Sequence, residues 1–122
     1  MKLKEAVIPR GLKPQTLLAI FIAEQVYTEN GFKLVLTSMG EGYKGDGVHG
    51  DNSYHYDGYA FDIRVRSGNY PSSEYPDHAM AVVMAQQIRQ RIGAGYDVIF
   101  GEDVNHMNHM HIEYNSRQHE SA

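Results

Sequence analysis

Cysteine is absent from the 122 residues. That excludes disulfides and thiolate chemistry, so any zinc would have to be held by His and carboxylate. Long apolar runs are absent as well. The longest, Leu17 to Ala23, has seven residues, far short of the ~20 that a membrane-spanning helix needs. Met1-Lys2-Leu3-Lys4-Glu5 leads into no apolar core, so no secretory signal is expected. A surplus of basic charge is missing too. Eleven basic against fifteen acidic residues give a formal charge of −4, which argues against a nucleic-acid partner held by phosphate contacts. What is present suits one globular domain: 42% apolar and 21% charged residues in a chain too short for two ordinary domains. The unusual richness is in seven His and nine Tyr.

The pattern along the chain predicts an irregular arm over 1–13, with Pro9 and Gly11 as breakers. Pro14 suits a first helical turn, where its missing N–H costs nothing. Leu17, Leu18, Phe21, Ile22, Gln25 and Val26 then recur at helical spacing until Gly31, which gives a helix over about 15–29. Phe32 to Met39 reads as a strand. Five glycines between Gly40 and Asn52 mark a loop. Tyr59 to Arg66 alternates, with Ala60, Asp62, Arg64 and Arg66 on one face and Tyr59, Phe61, Ile63 and Val65 on the other. Ser67 to Tyr75, with Pro71, reads as loop.

Asp77 or a nearby Ser caps a second helix over about 77–92. Met80, Val83, Met84, Gln87, Ile88 and Arg91 mark its inner face, and Gly93 ends it. Strands follow at 97–100 and 108–114, and 116–122 reads as a flexible tail. Two helices and four short strands give an α+β class, the helices packed on a small antiparallel sheet. The domain proper is expected over 14–115.

Two segments concentrate metal-binding side chains: Ser53 to Asp62, with His55 and Asp62, and His109-Met110-His111. Glu102 and Asp103 form a short acidic pair before the second. In a strand, side chains at i and i+2 point the same way, so His109 and His111 project together. Asp62 joins their face if the two strands pair, and His55 reaches in from the turn before it. Taken singly, each has an ordinary explanation: Asp62 has Arg64 two positions on as an ion-pair partner, and His-x-His occurs in strands without metal. Taken together, two His and one Asp suit Zn²⁺ with its fourth position open, the arrangement of a catalytic site. Zinc so held polarises a carbonyl and brings a water's pKa to about 7. Tyr43, Tyr54, Tyr56 and Tyr59 crowd this stretch and either line a groove or pack with wet hydroxyls. Met80, Met84, Met107 and Met110 read as core filler.

Ser53-x-His55-x-x-Gly58-x-Ala60-x-Asp62 resembles the signature of the D-Ala-D-Ala metallopeptidases and their relatives, the Hedgehog amino-terminal signalling domains. Asp46 to Gly58 is especially similar to the Hedgehog version. Leu36-Thr37-Ser38 and the ending His109-Met110-His111-Ile112-Glu113-Tyr114 resemble small phage and bacterial members that act on peptidoglycan. The likeness covers about 15–115.

The resemblance implies His55, Asp62 and His111 as zinc ligands. It implies His109 as the group that steadies the oxyanion or shuttles a proton, and Glu102 as general base. His49 is similar to a His flanking the Hedgehog zinc pocket and joins this catalytic set. In many members the base Glu stands three residues before the zinc His. Asn108 holds that place here, so Asp103 and His106 stand beside Glu102 as candidates. The Arg that many peptidase members use to grip a substrate carboxylate has no counterpart here. Lys44, Ser53 and Arg64 are the substrate-binding candidates, although a lysine lacks Arg's bidentate fork. By the same likeness Glu41 and Asp46 fall where Hedgehog domains hold calcium, which wants six to eight oxygens.

The expectation is therefore a zinc peptidase, monomeric, that hydrolyses an amide bond in peptidoglycan stem peptides as a carboxypeptidase or endopeptidase of endolysin type. It is expected to be made in the cytoplasm and to act at the cell wall after release. The alternative is a non-catalytic zinc domain, with calcium as an optional second ion, that binds a protein or a wall fragment. An iron oxygenase also uses two His and one carboxylate. Such sites space His and carboxylate closely on one strand, whereas six residues separate His55 from Asp62.

Overall fold

A computed structural model describes residues 2–3, 13–38, 59–100 and 109–115. In chain order the elements are β1 (Lys2–Leu3), α1 (Pro14–Glu29), β2 (Val35–Ser38), β3 (Ala60–Arg64), α2 (His78–Ile92), β4 (Tyr96–Ile99) and β5 (His109–Tyr114). The strands form one sheet in the order β1-β2-β3-β5-β4. β1 runs parallel to β2, and the other neighbouring pairs are antiparallel. The class is α+β, two helices on a five-stranded mixed sheet. Two expectations change: the arm contributes an edge strand at Lys2–Leu3, and that strand makes the sheet mixed rather than antiparallel.

Local chemistry accounts for the helix limits. Pro14 sits in the first turn of α1, with Asn30 as its C-cap. Asn30 donates through Nδ2 to Val26 O at 2.8 Å and to Gln87 Oε1 of α2 at 2.9 Å, so the cap also ties the helices together. Gly31 then takes φ +81°, a conformation that a side chain would strain. Asp77 caps α2, its Oδ1 accepting from Met80 N at 2.9 Å. Gly93 ends that helix at φ +84°.

Both helices cover one face of the sheet. Their buried residues pack with Leu36, Phe61, Ile63, Val65, Val98, Met110 and Ile112. The inner faces match the expected ones in part: Val26, Met84 and Ile88 are buried and Ile22 and Met80 pack against the core, but other positions differ. On α1 the buried set is Thr16, Ala19, Ile20, Ala23, Val26 and Tyr27, while Leu17, Leu18 and Phe21 are exposed. On α2 it is Ala81, Met84, Ala85 and Ile88, with Val83 exposed. Alanines at the contact let helix backbones come close, and the bulky residues beside them turn outward. Met84 and Met110 fill core positions and Met80 packs against them. No helix among the described residues is long and apolar enough to cross a membrane.

Candidate functional site

Alternation along β3 and β5 divides the sheet's two faces. Phe61 and Ile63 lie opposite Ile112 and Met110 and are buried under the helices. The intervening pairs, Asp62 with His111 and Arg64 with His109, therefore face the other side. On β4, Ile99 lies opposite His111 and Asp97 opposite Glu113, on the same side. On β2 the register shifts between Leu36 and Ser38, so that Ser38 comes opposite Asp62. Such irregularities bend a strand and are common beside functional sites.

On this face His111 lies between two carboxylates. Its Nδ1 is 2.7 Å from Asp62 Oδ1 and its Nε2 is 2.7 Å from Glu113 Oε1. The three side chains are only 13%, 15% and 17% exposed, in the order His111, Asp62, Glu113, so water screens them weakly. Two carboxylate acceptors, one at each ring nitrogen, call for two N–H donors, which only the imidazolium supplies. Burial opposes that charge, but the hydrogen bonds and charges of Asp62 and Glu113 outweigh it. The His111 pKa is pushed up to about 9.

Asp62 and His111 suit a divalent metal in chemistry and in placement. Ligands at ~2.0–2.2 Å from zinc in tetrahedral array stand about 3.3 Å apart. Their atoms at 2.7 Å would need to part by roughly half an ångström, within the range of small χ adjustments. Among the described residues no group of three or more His, Cys, Asp or Glu that could hold a metal occurs. Glu113 engages the other ring nitrogen, away from the Nδ1 side. The expected third ligand, His55, lies outside the described residues.

Arg64 lies two residues beyond Asp62 on β3. Its guanidinium stacks 3.7 Å from the Tyr70 ring centroid, and its Nη1 donates to Tyr75 Oη at 3.4 Å. The segment between β3 and α2 therefore fixes this cation over an aromatic face, an attraction that strengthens away from water. Arg66 donates from Nε to Tyr75 O at 3.1 Å and holds the same segment. His109 lies opposite Arg64, one same-face position before His111.

The other candidates, His49, Glu102, Asp103, His106, Lys44, Ser53, Glu41 and Asp46, all lie outside the described residues, as does the tail. Glu113 is the contributor that motif reading passed over. The same two-residue alternation that pairs His109 with His111 carries on to Glu113 and was the available signal. No such signal existed for Tyr70 and Tyr75, which reach Arg64 from a loop.

No protein-family model gives a significant match to the chain, nor does any curated protein or any solved structure.

Proposed function

We propose that the chain is a zinc-dependent peptidase of the D-Ala-D-Ala metallopeptidase and Hedgehog-like type, hydrolysing an amide bond in peptidoglycan peptides. One observation carries the reading beyond the motif likeness. Asp62 and His111, 49 positions apart in sequence, face each other at 2.7 Å on neighbouring strands, on the sheet face opposite the helices. In this reading they hold the ion together with His55. Zinc bound there supplies Lewis-acid polarisation of the scissile carbonyl and acidification of a water. Glu102, or its neighbours Asp103 and His106, takes the proton from the attacking water and returns it to the leaving amine. His109, on the same face as His111, donates to the oxyanion.

Arg64, steadied by Tyr70, offers a cation beside His109 for a carboxylate of the stem peptide. Lys44 and Ser53 complete the substrate contacts, and His49 flanks the metal. Glu41 and Asp46 are the carboxylates available to a calcium ion. The protein works as a monomer on wall peptides, reaching the cell wall after release from the cytoplasm.

The test is release of peptide fragments from purified cell wall, abolished by EDTA and restored by zinc. Zinc-loaded protein inactive on walls and on synthetic stem peptides would contradict the reading.

A further inference from the structure

The carboxylate at Glu113 has no place in the ligand set or in the catalytic set above, yet it lies 2.7 Å from His111 Nε2, the ring nitrogen turned away from Asp62. We propose that Glu113 is a positioning residue that holds the His111 ring by its Nε2–H, so that Nδ1 is the nitrogen turned to Asp62 and to a metal. This rests on the zinc reading and deepens it.

Three observations support it. First, Glu113 and His111 are on β5 two residues apart, on one face of a paired strand. A strand flanked on both sides, by β3 and β4, fixes both Cα positions. The Glu113 contact therefore constrains the ring and does not merely follow it. Second, the two nitrogens of His111 are divided between two carboxylates, Asp62 at Nδ1 and Glu113 at Nε2. A neutral imidazole has one N–H and one lone pair. In the metal-free ring both nitrogens carry a proton; where zinc takes the place of the Nδ1 proton, the carboxylate at Nε2 can only accept, so the remaining N–H stays there and the Nδ1 lone pair goes to the metal. Metal-bound His commonly donates its other N–H to a carboxylate, which fixes ring orientation and tautomer and makes the ligating nitrogen more basic. Third, Glu113 is only 17% exposed, so its charge acts through a medium that screens weakly. One Asp against Zn²⁺ leaves the site net positive. A second carboxylate one imidazole away brings the assembly to neutrality, which favours keeping a divalent ion in a sheltered place.

The variants are Glu113→Ala and Glu113→Gln, compared with the whole wild-type chain after each is shown to fold by circular dichroism. Zinc affinity, measured by competition with a chromogenic chelator, is expected to fall about 10- to 100-fold in Glu113→Ala. Glu113→Gln keeps an acceptor oxygen without the charge and is expected to fall between. A second measurement needs no variant. In zinc-loaded wild type, nitrogen-15 NMR of His111 is expected to show the proton on Nε2 and the metal-bound shift on Nδ1. Unchanged zinc affinity in Glu113→Ala, or a proton on Nδ1 with the metal on Nε2, overturns this proposal and leaves the zinc reading standing. Wild-type protein that takes up no zinc overturns both.

Discussion

The two faces of one sheet are built from the same strands and obey opposite rules. On the helix side Phe61, Ile63, Met110 and Ile112 are wholly buried and apolar. One residue along, on the other side, Asp62, Arg64, His109, His111 and Glu113 are polar and partly sheltered. The first face contributes stability through burial, about 1.5–3 kcal/mol for each large apolar side chain. The second keeps charged groups close together in a weakly screening setting, where perturbed protonation is typical. A period-two strand keeps the two roles apart, so each face can be altered with little effect on the other.

The largest expected effect tests that separation. Phe61→Ala should lower unfolding free energy by about 3–5 kcal/mol, measured by urea denaturation, because it leaves a cavity under the helices. Asp62→Asn, its immediate neighbour, should abolish zinc uptake while the far-ultraviolet circular dichroism keeps its folded form. A tolerated Phe61→Ala, or an Asp62→Asn that unfolds, would break the comparison.

A second test uses pH. The folded-state pKa of His111, raised to about 9 from the ordinary 6.5, means that the charged ring stabilises the metal-free fold. That contribution is complete below about pH 6.5 and is lost as pH rises through about 9. Melting temperature of EDTA-treated protein should therefore fall over that window, and the fall should vanish in His111→Gln. A flat profile between pH 6 and 10 in wild type would show that the two carboxylates do not hold a proton-bearing ring.

Two smaller effects belong to the helix side. Tyr27 is wholly buried and its hydroxyl has no hydrogen-bond partner among the described residues, so burial also pushes its pKa well up. Tyr27→Phe removes a desolvated hydroxyl and should raise stability by about 1–3 kcal/mol; a loss in a thermal melt would mean that the hydroxyl is bonded after all. Asp77→Ala deletes the α2 cap and should cost about 1 kcal/mol by the same assay.

The difference between the faces also explains what could be read from the sequence. Alternation from Tyr59 to Arg66 placed both sides of β3, and Pro14, Asp77, Gly31 and Gly93 marked the helix limits within a residue or so, because backbone chemistry is local. The helix faces were harder. Leu17, Leu18 and Phe21 look like core by size, but packing is decided by which side can approach closely, and Ala19 and Ala23 supply that side. Pairing of Lys2–Leu3 with β2 depends on a distant edge and leaves no local mark. At the site, convergence of Asp62 with His111 followed from strand parity once β3 and β5 pair. The tyrosines around Arg64 did not, since they come from a loop whose course the strand pattern does not encode.

The central claim is that Asp62 and His111 share one zinc ion on the sheet face opposite the helices. Anomalous diffraction at the zinc edge from zinc-loaded crystals tests it most directly. The account predicts a single strong peak between the Asp62 carboxylate and His111 Nδ1, at the ~2.0–2.2 Å usual for such ligands, with His55 closing on it. A zinc-saturated crystal with no peak there, or with its peak held by other side chains, would contradict it.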